Sequence, residues 1–213
     1  MRIREIYRSI QGESTFAGLP CTFIRTAGCP LRCVWCDTEY AFAGGEELSH
    51  EQIISRVAQL GAVHHLELTG GEPLAQPDAP ALLTRLADRG YRVLLETSGA
   101  FAIEAIDRRV RIILDIKCPD SGESGRNRWE NIAQLAEKDQ VKFVLASRSD
   151  YEYARQVIET HRLAERCGEL LLSTVFDRLE PRQVVAWLLE DQLPVRFQLQ
   201  LHKFVWPPNT PGV

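Results

Sequence analysis

Two repeats of apolar and polar positions take turns along the chain. Short runs rich in branched residues read as strands. Longer stretches with apolar residues three and four apart read as helices. Residues 1–20 read as a lead-in, and the polar, glycine-bearing stretch 9–14 as a loop. Residues 21–26 alternate and form the first predicted core strand. Ser49 starts a helix to about Leu60, with Gln52 as its capping-box partner. Strands then follow at 65–69, 92–96, 110–116, 141–146, 169–173 and 195–201. Helices are predicted at 79–88, near 103–107, at 129–137, at 151–161 behind an Asp150 cap, and at 181–190 with Pro181 in its first turn. The Gly/Ser-rich stretch 121–127 reads as a mobile loop.

Strands alternating with helices imply a parallel sheet in one α/β domain spanning 1–213. Six or seven strands are too few for an eightfold barrel, so a partial (β/α) barrel is predicted. Ligands in such folds gather at the carboxyl ends of the strands. The unusual residues lie at those ends: Cys29 after the first strand, Thr69 to Pro73 after the second, and Glu96 to Gly99 after the third. Asp115, Ile116 and Lys117 follow the fourth, Ser173 the sixth and His202 the last. The tail 202–213 is expected at the mouth of the site.

Composition narrows the picture. The chain has 213 residues, 45% of them hydrophobic, with a formal charge of −4. That suffices for a substantial core, and the acidic balance disfavours direct nucleic-acid binding. No run approaches a membrane span, and no export signal is visible at the start. Clustered cysteines without such a signal point to a reducing cytoplasm.

The candidate chemistry centres on Cys29, Cys33 and Cys36, three of six cysteines, spaced C-x3-C-x2-C. Three thiolates are one short of a closed zinc site and of a four-cysteine iron–sulfur cluster. An open metal position is a sign of chemistry rather than stapling. A zinc knuckle with a remote fourth ligand (His64, His65 or Cys118) is the alternative. Cys21, Cys118 and Cys167 otherwise read as packing residues. Gly70-Gly71-Glu72-Pro73 permits close backbone approach and adds a carboxylate. Glu96, ending an apolar run, is expected to point into a polar site. Lys117 follows the same logic, with an ion pair to Asp115 as the alternative. Arg25 offers a fork for a carboxylate, or a structural pair for which Glu67 is one possible partner. Asp37 or Thr38 could alternatively be a helix cap. His64 and His65 are expected at the surface, and Glu46 and Glu47 solvated.

The cysteine loop with Trp35 before its last cysteine resembles the radical S-adenosylmethionine (SAM) enzymes. The resemblance implies a 4Fe–4S cluster on the three cysteines, SAM on the fourth iron, and Trp35 near the adenine. Ile10-Gln11-Gly12-Glu13, Arg25, Cys36-Asp37-Thr38 and Gln200-Leu201-His202-Lys203 narrow it. Together they resemble the 7-carboxy-7-deazaguanine synthase family, over about residues 6–206. That resemblance implies a lyase of queuosine biosynthesis, acting on 6-carboxy-5,6,7,8-tetrahydropterin. It also implies a homodimer, magnesium and an external electron donor. Ile10, Gln11, Gly12, Glu13, Arg25, Thr69, Glu96 and His202 then correspond to the substrate pocket. Gly71, Glu72, Asp115, Ile116, Lys117, Ser173, Thr174, Val175 and Phe176 correspond to SAM contacts, and Thr38 to the magnesium ligand. Many relatives carry Ser-Pro-Lys where this chain has Asp115-Ile116-Lys117. Arg25 and His202 are expected to read the substrate carboxylate together, His202 from the end of a last strand closing near the first. Two rivals remain at this point. An activating enzyme for a glycyl-radical protein would need a groove open to a polypeptide. A non-catalytic metal-binding or electron-transfer module would need no strand-end polar groups.

Overall fold

The structure, a computed structural model, describes residues 1–61, 63–208 and 210–213. One nine-stranded sheet forms the frame, in the order β3-β1-β2-β4-β5-β6-β7-β8-β9. The strands are β1 (Arg2–Ile10), β2 (Pro20–Thr26), β3 (Glu46–Glu47), β4 (His65–Gly70), β5 (Arg92–Thr97), β6 (Arg111–Asp115), β7 (Gln140–Leu145), β8 (Glu169–Thr174) and β9 (Arg196–Phe197). From β2 through β4 to β9 every pairing is parallel. At one margin β1 pairs antiparallel with β2, and the edge strand β3 pairs antiparallel with β1. The sheet does not close, in agreement with the expected partial barrel, but it holds nine strands rather than six or seven, because β1 and β3 add an antiparallel margin to the seven parallel strands.

Four helices cover the outer face: α1 (His50–Gln59), α2 (Ala79–Asp88), α3 (Arg148–Thr160) and α4 (Pro181–Asp191). The capping box of Ser49 and Gln52 starts α1. Outward strand residues such as Ile24, Leu66, Leu68, Leu95, Leu114 and Phe143 pack on Ile53, Leu82, Leu86 and Val157 of the helices in one core. The alternate residues of the same strands face the interior. There the set is polar: Arg25, Glu67, Thr69, Glu96, Asp115 and Lys142 line one cavity. The period-two alternation of strands therefore separates an apolar outside from a charged inside.

Several elements differ from the sequence expectation. Most of the lead-in is the strand β1, paired to β2 with Glu5 opposite Arg25 and Tyr7 opposite Phe23. Its charged and polar residues, with only Ile3 fully buried, hid this strand. Asp150 does not cap α3; Ser147 does, accepting from the Asp150 N–H. No helix forms at 103–107, where the Asp107 carboxylate takes the Arg109 N–H and fixes a turn. At 129–137 only a 3-10 segment, Trp129–Gln134, forms. The Asn131 side chain is drawn inward there to Ile103 N–H and to the Gly99 and Phe101 carbonyls. The long last strand shrinks to β9, because after Gln198, whose N–H still donates to the Leu172 carbonyl at 2.9 Å, the chain leaves β8 and crosses to the loop after β1. Leu201 N–H donates to the Gly12 carbonyl at 2.8 Å. A short helix, α5 (His202–Val205), follows. His202 thus reaches the site from a crossing segment rather than from the end of a strand.

Candidate functional site

The carboxyl ends of the strands open into a cavity of about 230 Å³. The loop after β2 carries the three cysteines along one wall, all half-buried and free of disulfides. Two neighbours hold its base. Gly71 N–H donates to the Thr26 carbonyl at 3.2 Å, and Glu72 N–H to the Gly28 carbonyl at 2.9 Å. A Cβ on Gly71 would overlap the Gly28 carbonyl and lie 2.9 Å from Cys29 Cβ, so this close approach requires glycine. The stretch read as mobile is the loop's second support. Val34 N–H donates to the Ser121 carbonyl at 3.0 Å and Arg32 N–H to Glu123 Oε1 at 2.6 Å. Two 3-10 turns, Pro119–Ser121 and Ser124–Arg126, shape that stretch.

Burial raises the Cys29 thiol and pushes Cys33 up to about 11. Among the described residues no three His, Cys, Asp or Glu side chains meet as a ready metal site. The donor set nevertheless fits a cluster held by three thiolates: all three cysteines line the one cavity, and among the described residues no fourth side-chain ligand joins them. The remote zinc ligands do not join them. His65 starts β4 at its amino end and packs at a tilt against Phe16, His64 is exposed, and Cys118 is buried outside the cavity lining. Cys21 and Cys167 are buried packing residues as expected.

Every substrate-side candidate lines the cavity: Ile10, Gln11, Gly12, Glu13, Arg25, Thr69, Glu96 and His202. Arg25 donates from Nε to Glu5 Oε1 at 2.7 Å and from Nη2 to the Tyr7 hydroxyl at 2.8 Å. Its ion-pair partner is Glu5, across the β1–β2 register, and not Glu67. Tyr40 hydrogen-bonds the same Glu5 oxygen. Burial alone would lower the Arg25 value, but Tyr7, Tyr40 and Glu5 more than reverse this, so the guanidinium is a fixed cation. No hydrogen bond uses Arg25 Nη1 among the described residues. Gly12 lies so close to His202 that a Cβ there would overlap its ring. Burial lowers the His202 value despite the neighbouring carboxylates of Glu13 and Asp37.

The SAM-side candidates divide. Gly71, Trp35, Asp115, Lys117, Val175 and Phe176 line the cavity; Glu72, Ile116, Ser173 and Thr174 do not. Glu72 is fully buried. Its carboxylate accepts from Leu74 N–H, the Thr97 hydroxyl, and both N–H and hydroxyl of Ser98. With both oxygens engaged it acts as a clamp between the turn after β4 and the end of β5. Ile116 is buried in the core, while Ser173 and Thr174 are buried at the end of β8. Lys117 makes the ion pair with Asp115, at 2.9 Å. Arg178 stacks over the Trp35 ring at 5.1 Å. Thr38 lines the cavity with its hydroxyl 3.7 Å from Cys36 Sγ and makes no side-chain helix cap. Asp37 instead pairs with Lys203 at 2.9 Å. Burial would raise its carboxyl, and Lys203 more than offsets that.

The centre of the charge network is Lys142, a residue no motif singles out. Lys142 is 4% exposed and reaches Glu13 Oε2 at 2.7 Å, Glu96 Oε1, and Asp115 Oδ2 at 3.5 Å. A lysine inside the apolar run Val141 to Leu145 was the available signal, since a central parallel strand buries both faces. Glu67, inside Leu66-Glu67-Leu68, carried the same signal. The tail residues Pro208, Thr210, Gly212 and Val213 also line the cavity.

Comparison with known proteins adds to this geometry. Residues 23–145 match the family model described as the radical SAM superfamily. The 7-carboxy-7-deazaguanine synthase of Koribacter versatilis is 43% identical over the whole of both chains. The namesake enzyme of Chlorobaculum tepidum is 44% identical, over 100% of this chain and 97% of its own. Among solved structures, QueE from Escherichia coli superposes with a TM-score of 0.79 at 22% identity, over 94% of each chain, a likeness of fold.

Proposed function

The chain belongs to the radical SAM superfamily and, within it, to the 7-carboxy-7-deazaguanine synthases; from that premise we propose that it converts 6-carboxy-5,6,7,8-tetrahydropterin to 7-carboxy-7-deazaguanine with loss of ammonia. One observation carries the substrate side of this reading. All of the residues assigned to the pterin line the same cavity as the three thiols.

Cys29, Cys33 and Cys36 would hold a 4Fe–4S cluster, with SAM beside Gly71, Trp35, Asp115, Lys117, Val175 and Phe176. When bound, cluster and SAM supply the radical that abstracts a hydrogen from the substrate. The protein's own residues orient and isolate the reacting ring. Arg25, held by Glu5 and Tyr7, presents its remaining Nη1 to the substrate carboxylate. His202, arriving on the crossing segment, faces the same space and supplies a second polar contact. Lys142 holds Glu13 and Glu96 in place as acceptors for ring N–H groups. Ile10, Gln11, Gly12 and Thr69 complete the wall. The cavity, lined in part by Pro208, Thr210, Gly212 and Val213 of the tail, holds about 230 Å³, which favours a small molecule over the polypeptide substrate of a glycyl-radical activator. The converging polar groups have no use in a plain metal-binding module.

Thr38, whose lining of the cavity beside Cys36 supports this reading, would bind magnesium, which keeps most of its waters and needs few protein ligands. It would neutralise substrate oxygens beside the cluster. An external donor would reduce the cluster, a homodimer is the working assembly, and the reduced cysteines suit the cytoplasm. Among the described residues no helix is long and apolar enough to cross a membrane.

The test is anaerobic reconstitution with iron and sulfide, then turnover with SAM, reductant, magnesium and the carboxylated tetrahydropterin. Formation of 7-carboxy-7-deazaguanine with 5′-deoxyadenosine is the expected result. Cleavage of SAM with the pterin recovered unchanged would overturn the substrate assignment. Tetrahedral zinc with no iron uptake would overturn the whole reading.

A further inference from the structure

Four buried or half-buried carboxylates face the cavity from its strands and first loop, and one is unlike the others. Glu13, Glu96 and Asp115 all reach the Lys142 ammonium. Glu67, in the middle of β4 and 1% exposed, makes no ion pair among the described residues. Its Oε2 accepts from the Gln11 side-chain amide, and among the described residues no hydrogen bond reaches Oε1. Charging a buried carboxyl that has one neutral partner is costly.

The titratable groups that face it do not offset that cost. Glu96 stands on β5, Glu13 on the loop after β1, Tyr7 on β1, Cys21 on β2 and Lys142 on β7. The one cation among them is already shared by three carboxylates. Burial first, and repulsion from Glu96 second, hold Glu67 well above the ordinary carboxylate range, against the opposing pull of Gln11 and Lys142. The cavity thus combines a lysine-bound set of acceptors with one carboxyl suited to donate.

We propose that Glu67 is a specificity-determining residue that meets the substrate as a neutral carboxylic acid, its Oε2 anchored by Gln11 and its Oε1–H donating to an acceptor of the aminopyrimidinone ring. The proposal rests on the pterin reading above and names how one edge of that ring is read. Such a ring presents both acceptors (its carbonyl oxygen and ring nitrogens) and N–H donors. Glu13 and Glu96 can take the donors. An acceptor would be repelled by a third carboxylate and needs the hydrogen that a neutral Glu67 carries.

Glu67→Gln separates the two states, because an amide keeps an acceptor for Gln11 and a donor for the ring but cannot ionise. Binding of the carboxylated tetrahydropterin to anaerobic, cluster-loaded protein is measured by calorimetry from pH 6 to pH 10, with SAM binding as the control. Glu67→Gln should bind within about threefold of wild type at neutral pH. It should also lose the Glu67-dependent weakening that wild type shows at the alkaline end. Glu67→Leu, which keeps the volume and removes the donor, should bind about tenfold more weakly, the scale of one neutral hydrogen bond. SAM affinity should not change in either variant. If Glu67→Gln loses as much as Glu67→Leu, the residue acts as a carboxylate and the inference is overturned. If Glu67→Leu binds like wild type, Glu67 does not touch the ring. Wild type that binds SAM but not the pterin marks failure of the substrate reading instead.

Discussion

Replacing Lys142 by Met removes the one cation shared by three cavity carboxylates while nearly preserving volume. Breaking a buried ion pair from one side typically costs about 3–5 kcal/mol. The surviving contacts place this case near the lower end. Asp115 keeps Lys117 at 2.9 Å, and Glu13 keeps the Gln200 amide at 2.8 Å. Glu96 keeps only the Thr69 hydroxyl, at 3.5 Å. A loss of about 3 kcal/mol at pH 7.5 is expected. The pH dependence has a definite sign. Burial would lower the Lys142 value, but Glu13, Glu96 and Asp115 hold it well above the ordinary 10.5. Its contribution is therefore complete below 10.5 and is lost only as pH rises through the raised value. Burial would raise Glu13, but Lys142 and Gln200 hold it below the ordinary 4.5. Its contribution is complete above 4.5 and is lost as pH falls through the depressed value. The network is thus fully engaged between those limits. In Lys142→Met the Glu13 carboxyl loses the cation that holds its value down, so it takes up a proton at a higher pH than in wild type and the deficit should shrink from pH 7.5 to pH 5. Urea denaturation of the cluster-free protein at both pH values, with slopes compared, measures it. A deficit below about 1 kcal/mol at pH 7.5, or one that grows on acidification, would refute the reasoning.

Three further outcomes follow from named contacts. Glu72→Gln sets an amide N–H₂ against the donors of Ser98 or Thr97 and should cost about 2–3 kcal/mol by thermal denaturation; a variant of wild-type stability that has lost SAM binding would show that Glu72 contacts the cofactor directly. Gly71→Ala pushes the cysteine loop off its seat on the Gly28 carbonyl. It should sharply reduce iron incorporation on reconstitution, and a normal iron and sulfide content would contradict the packing argument. Arg25→Ala should weaken the carboxylated pterin by about 2–5 kcal/mol, with little effect on the pterin lacking the carboxylate; equal losses for both would remove Arg25 as the carboxylate reader.

Local patterns determined much of this protein. The Ser49–Gln52 box, the apolar spacing of 79–88 and the branched runs at 65–69 and 92–96 made elements whose ends lie within a residue or two of prediction. These signals act over a few residues and need no partner. The strand–helix alternation determined the open parallel sheet and the common mouth for the strand-end residues. The cysteine spacing determined one loop with three thiols, and the family resemblance carried the pocket residues with it. Long-range contacts decided the rest. Only the register of β1 against β2 could show that Glu5, and not Glu67, holds Arg25. Only the crossing of the tail to Gly12 could bring His202 and Gln200 into the cavity without a strand. Lys142 lies 46 residues from Glu96 and 129 from Glu13 along the chain. A charge inside an apolar run announces an interior position, but its partners exist only once the sheet has curved and set alternate faces of neighbouring strands against one space.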